Sequence, residues 1–397
     1  MRILLSFLIT VFALSLPVQS TTLDGQNSLA DNIKTLSAQP DKTPSDQFAL
    51  GALYFLRGIE KTLQARWNYN AVIQGFDFPV LRLPLRPNPS PKPFKPSLIT
   101  DIFAELRTDM QASRDAMAQI PADAELELNI NLNQLWFDVN VNNQRDVGEG
   151  AVIIGVKSLM RPLQVPEIDE MPPMQVRFDT ADRAWLTAYT HMLSAASEMV
   201  LAFDPTEAIS RVMQARADIQ KLLDNARPRS YWDQEFGNTV DQFAMVYGAL
   251  NKKPDAIHTR AAHAHLLKMI AENKAFWAGI EVETDNRNEW IPNAKQTAAL
   301  GYDMGPEVGD AWRAVLADGE ALLKGELLID YWRLSGVGGV NVKKMFMDPP
   351  AVDIVAWVQG YGLLPYLEKG KVITRANLRK FEQVAPGNPM LFSFLFN

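Results

Sequence analysis

Apolar residues recur at helical spacing through most of this chain, and that period restricts it to a mostly α fold in which strands play a supporting part. From about Ser45 to Trp67, Phe48, Ala49, Ala52, Leu53, Leu56, Ile59, Leu63 and Trp67 fall on one helical face. A second face runs from Ser97 to Ile120 and stops at Pro121, which cannot continue a helix. The strongest runs from Asp179 to Phe203, aligning Trp185, Tyr189, Met192, Leu193, Ala196, Met199, Val200 and Phe203. Further helices are predicted at about 205–224, 231–250, 254–278, 306–324 and 352–358. Their lengths share no fixed period, which argues against a solenoid.

The period changes to two at Leu126, Leu128, Ile130 and Leu132, the mark of a half-buried strand. Gly279 to Glu283 is read as a second short strand. The expected fold class is therefore a mostly α, compact helical body with a small β element near 125–137 and 279–284. Seven of the 25 prolines lie between Phe78 and Pro96. Each ring fixes φ and removes a donor, so this stretch is expected as an extended surface strap packed on the body by Val80, Leu83, Leu85 and Phe94. A second cluster, Pro162 to Pro173, separates the strand region from the helical half.

The chain begins with a charged Arg2, an apolar run from Ile3 to Leu16, and small residues before a cleavage point after Ser20, the pattern of a secretory signal peptide at 1–20. No later stretch is apolar for the roughly 20 residues that a membrane-spanning helix needs, so no transmembrane segment is expected in the mature chain. Residues 21–44 are polar and read as a loosely ordered N-terminal segment, and 45–397 as one large, mostly helical domain. With no cysteine in the chain, disulfide staples and thiol catalysis are excluded. The net charge of −7 leaves no clustered Lys and Arg to bind phosphate, so no nucleic-acid partner is expected. A periplasmic or secreted location follows from the leader.

The segment Asp138 to Glu149 places oxygen side chains at Asp138, Asn140, Asn142, Asp146 and Glu149, positions 1, 3, 5, 9 and 12 of a twelve-residue loop. Gln144 stands at position 7, where a backbone carbonyl serves. Over these twelve residues the chain resembles the calcium loop of EF-hand and dockerin-like proteins. Asn143 occupies the family's glycine position and Arg145 its aliphatic one; Asn tolerates the left-handed conformation required there. The resemblance implies a structural calcium ion, held in the weak extracellular range of about 10⁻⁴ to 10⁻³ M because only three ligands are carboxylates. The competing reading is an Asx-rich turn that bonds its own backbone.

A second polar knot holds Glu281, Glu283, Asp285 and Glu289 beside Trp290. It is read as a solvated turn, with a second cation site or a pair of glycosidase-like carboxylates as the sharper alternatives. Histidines 258 and 265 share a helical face, whereas 263 points elsewhere. No HExxH, GxSxG or GxxxxGK[ST] pattern occurs. The nine tryptophans raise carbohydrate binding, for which Trp232 and Trp290 are the positions to inspect. The expected role is an exported accessory or binding protein of the cell envelope, with an envelope protein or glycan as partner, more readily than an enzyme. The alternative is an exported hydrolase of polysaccharide or cell-wall material working through the carboxylates near 281–289.

Overall fold

The computed structural model describes residues 25–71, 80–159, 173–222, 231–302 and 304–385. The expected signal peptide, much of the second proline cluster and the aromatic end of the chain lie outside the described residues. Helix accounts for 58% of the structure and strand for 7%, which bears out the mostly α reading.

The long helices form at the predicted places: α2 (Pro44–Asn68), α3 (Leu98–Met117), α5 (Asp182–Phe203), α6 (Thr206–Leu222), α7 (Tyr231–Leu250), α8 (Ala256–Ile280) and α9 (Val308–Lys324). Helix α2 starts at a capping box in which Thr43 and Asp46 satisfy each other's backbone N–H, with Pro44 in the first turn. The first differences lie at the amino end. Within the stretch read as loosely ordered, Leu29–Ala38 form α1, capped by Ser28, and bury Leu29, Ile33 and Leu36 against α2. Three apolar residues at i, i+4 and i+7 were enough to seat a ten-residue helix.

Helices α2, α3, α5 and α8 pack in succession, and α9 continues the series beside α8. The main core gathers Phe48, Leu53 and Leu63 of α2, Leu186 of α5, Phe276 and Trp277 of α8, and Trp312 of α9. A second core, built on Phe103, Leu106 and Met110 of α3, takes Val80 and Leu81 from the proline strap. The strap is held by Arg66, which is buried and donates to the carbonyls of Val80 at 3.1 Å and Leu83 at 2.9 Å. Val80 adopts φ +60°, a strained conformation for a β-branched residue.

Strand β1 (Glu127–Asn131) pairs antiparallel with β2 (Gln175–Asp179), Leu128 opposite Phe178 and Ile130 opposite Val176. The second predicted strand, 279–284, is a correction: α8 continues through Ile280, and the amides of Glu281 and Val282 still bond back to Trp277 and Gly279. The apolar stripe that builds α8 carries Trp277 and Ile280 into the core, and this tertiary burial outweighs the local alternation of Glu281, Val282 and Glu283. Short elements complete the chain: α4 (Ala151–Leu159), a sheet of β3 (Ile329–Asp330), β4 (Gly338–Val340) and β5 (Leu367–Lys369), and helices α10 (Val342–Met347), α11 (Ile354–Gln359) and α12 (Ala376–Val384). Strand β4 requires glycine, since a Cβ on Gly338 would lie 2.1 Å from the Glu368 carbonyl oxygen. No described helix is long and apolar enough to cross a membrane.

Asp109 of α3 is fully buried and holds α2 through Arg57, whose Nε donates at 2.9 Å, and Lys61 at 3.1 Å. Asp109→Ala should lower unfolding stability by about 2 kcal/mol in urea titration, because Arg57 and Lys61, both partly exposed, lose the buried anion they share.

Candidate functional site

The Asp138 loop is closed at its base like a hairpin: the Phe137 amide donates to the Glu149 carbonyl at 2.9 Å, and Trp136 bridges Gly150. Its first residue is clamped to α2. The Asp138 amide donates to Glu60 Oε1 at 2.8 Å, and its carbonyl accepts from Gln64 Nε2 at 2.8 Å. Asp138 and Glu149 are buried, whereas Asp146 and the middle of the loop are exposed.

Inside the loop, Asp138 Oδ1 and Oδ2 each accept a backbone N–H at 3.0 Å, from Asn142 and Asn143. Asn140 and Asn142 turn their amide oxygens to the backbone of residues 142 and 144, and donate their amide nitrogens to Asp146 Oδ2 at 2.6 and 3.0 Å. Glu149 accepts from the amides of Val139 and Asp146, both at 2.9 Å. Asn143 sits at φ +56°, as its place in the spacing requires. Arg145 leaves the loop and donates to the Asn133 carbonyl. As folded, the oxygens of Asp138, Asn140, Asn142 and Glu149 already bond backbone amides, while Gln144 uses its N–H within the loop and is exposed.

No sequence pattern singles out Glu60. It lies beside the apolar stripe of α2, and burial, followed by the charges of Asp138 and Glu149, pushes its carboxyl up to about 7 against the Asp138 amide that lowers it. Burial likewise raises Glu149.

The denser acidic site forms where the turn after α8 passes β2. The Arg177 amide donates to the Asn288 carbonyl at 2.9 Å and Glu289 bridges Arg177, so residues 288–289 run alongside the strand. Arg177 Nη1 lies 2.6 Å from Asp285, 3.1 Å from Asp179 and 3.7 Å from Glu289. Its Nε lies 3.6 Å from Glu127. Asp179 and Glu289 are buried, Glu283 is half-buried, and one oxygen from each of the three lies within 4.8 Å of the others. Among the described residues this is the group of acidic and histidine side chains that reaches that spacing; Asp138, Asp146 and Glu149 do not.

Asp182, at the start of α5, accepts the Asp179 amide at 2.9 Å. Burial and then the Asp179 charge lift its carboxyl well above the usual range. The same two causes raise Glu283 to about 7, and burial raises Glu289 against the pull of the Arg287 amide and Arg177. Gln296 fixes Glu283 with a 3.3 Å hydrogen bond, and Asn293 ties Ile280 to the Glu283 carbonyl. Of the four carboxylates expected near 281–289, three thus converge on Arg177 and Asp179. Glu281 instead pairs with Arg313 of α9.

The histidines serve the helix interfaces. His191 and His265 face each other Nδ1 to Nδ1 at 2.8 Å, His258 meets Glu198 at 2.5 Å, and His263 Nε2 donates to the Leu323 carbonyl at 2.7 Å. Burial, then Arg114, lowers His191 to about 3 and His265 to about 4, so both are neutral at physiological pH and one donates to the other. Ser194 accepts from the Arg114 guanidinium, a cation that cannot serve as its base. Trp232 is exposed on α7, and Trp290 packs on Phe178 and Trp185 at 5.7 and 5.5 Å. No protein-family model, curated protein or solved structure matches the chain.

A carboxyl raised in the folded state holds its proton more tightly than in the unfolded chain. Its favourable contribution is full below about pH 4.5 and is lost as pH climbs through 7. In chelator, Glu283→Gln should therefore melt close to wild type at pH 5 and above wild type at pH 8. Thermal unfolding at the two pH values measures this, and a difference independent of pH would contradict it.

Proposed function

We propose that this chain is an exported accessory or binding protein of the cell envelope whose fold is braced by a hard divalent cation, calcium first, with no catalytic role. The observation that carries this reading is the convergence of Asp179, Glu283 and Glu289 within 4.8 Å of one another, with Asp182 close by, beside the Arg177 guanidinium that Asp179 and Glu289 already share with Glu127 and Asp285. Such an excess of negative charge is relieved by protons or by a cation. An all-oxygen donor set without thiolate or imidazole suits calcium or magnesium. The ion would be held by the three carboxylates and would tie β2 to the turn after α8.

The Asp138–Glu149 loop is the second position for calcium. Its support is the oxygen spacing, the left-handed Asn143 and the burial of Asp138 and Glu149 against Glu60. Binding there requires the amides of Asn140 and Asn142 to exchange their present partners for the ion. Export rests on the signal-peptide pattern of residues 1–20.

The hydrolase alternative draws less support. The cavity beside this segment, about 150 Å³, is walled by Glu281, Asn293, Asp310 and Arg313, and neither Glu283 nor Glu289 lines it. Carboxylates that act on a polymer need a cleft that admits it.

Millimolar calcium should raise the melting midpoint relative to chelator, with about 1.4 kcal/mol gained at ten times Kd for each site. The Glu283→Gln, Glu289→Gln variant should lose the contribution of the acidic trio, and Asp138→Ala, Glu149→Ala that of the loop. An unchanged wild-type midpoint between chelator and calcium would reject both positions. Retention of the full response in both variants would reject the residue assignments.

A further inference from the structure

Between α2, the β1–β2 ladder and α5 lies a cavity of about 190 Å³. Every side chain in its wall is apolar by type, including Phe48, Phe55, Leu132, Phe178, Trp185 and Trp290. Protein interiors hold few voids larger than a water molecule. Water gains nothing here, since an ordered molecule needs two to four polar partners. Apolar cavities of about 150 Å³ stay dry and accept benzene or xenon, and this one is larger.

The wall is also pre-formed. Ring contacts run in an unbroken arc from Phe48 to Phe178 (5.8 Å), Trp290 (5.7 Å), Trp185 (5.5 Å), Tyr189 (5.6 Å) and Phe55 (5.4 Å), beginning and ending on α2. Tilted and edge-to-face pairs of this kind hold one another in place, so the cavity does not depend on a guest for its shape. Phe48, Leu53 and Leu186 form a buried floor. Phe55, Leu56, Leu132 and Trp290 are partly exposed and give the cavity its mouth.

We propose that this cavity is a binding site for a small hydrocarbon group, either a free aromatic molecule or the end of an alkyl chain carried by an amphiphile. The guest gains dispersion contacts with the ring arc and leaves water, while the apolar wall rejects hydrophilic solutes. None of the candidate cation ligands lines the wall, but Phe178 and Trp290 adjoin Asp179 and Glu289, so binding is measured both in calcium and in chelator.

The experiment uses the full mature chain with two probes, toluene and decanoate, in thermal unfolding and in saturation-transfer NMR observed on the probe. A midpoint rise of about 2 °C at ten times Kd is expected from the binding linkage, together with saturation transfer to the probe. Response to toluene alone indicates a free aromatic guest; response to decanoate with displacement of toluene indicates an alkyl chain. Ala52→Phe fills the cavity from α2 and Leu132→Phe narrows its mouth. Either variant that still melts cooperatively should lose the response. Absence of both signals in wild type overturns the proposal, as does an undiminished response in a filled variant. Because NMR reads the wild type directly, the proposal stands or falls on that signal even where neither variant folds.

Discussion

Helix α5 buries polar side chains along its length, and the rest of the helical body is arranged to satisfy them. Thr190, His191, Ser194, Ser197 and Glu198 are all buried. Thr190 and Ser197 bond their own helix, at the carbonyls of Thr187 and Leu193. The others need neighbours: Arg114 of α3 for Ser194, Arg107 of α3 and His258 of α8 for Glu198, and His265 of α8 for His191. Apolar packing alone tolerates sliding, but a buried donor without its acceptor costs about 1–3 kcal/mol. These pairs therefore fix the register of α3 and α8 on α5, and through α8 they fix where the turn at 281–289 leaves the bundle.

Most of that bundle was legible because helical periodicity is written into single segments. The seven long helices needed only local spacing, and Pro121 marked the end of one of them. Strand β2 was harder: five residues at the edge of a proline cluster give too little alternation, and its identity comes from pairing with β1 across some forty residues. The Gly279–Glu283 segment failed for the opposite reason. Its alternation is real, but Trp277 and Ile280 have stronger claims on the core and carry α8 as far as Ile280, after which the chain turns.

The acidic site was legible in composition and hidden in geometry. Glu283, Asp285 and Glu289 stood out as a local density of charge, yet extended spacing grouped them with Glu281, which the structure sends to Arg313. Asp179, Asp182 and Arg177 could not be added from sequence, because a segment about a hundred residues earlier supplies them. Glu60 escaped for a related reason, since its partner is the backbone of Asp138 on another element. In both sites the local sequence names some of the oxygens and the tertiary fold chooses their company.

Strand β2 has one face in the aromatic arc, through Phe178, and the other among carboxylates, through Arg177 and Asp179. Side chains alternate along a strand, so a slip of one residue against β1 would exchange these faces. Arg177 would enter an apolar space, and Phe178 would leave its rings for a field of negative charge. Short strands are ordinarily prone to mispairing. This one is proofread from both sides at once, and the misaligned chain has no partly satisfactory arrangement in which to rest.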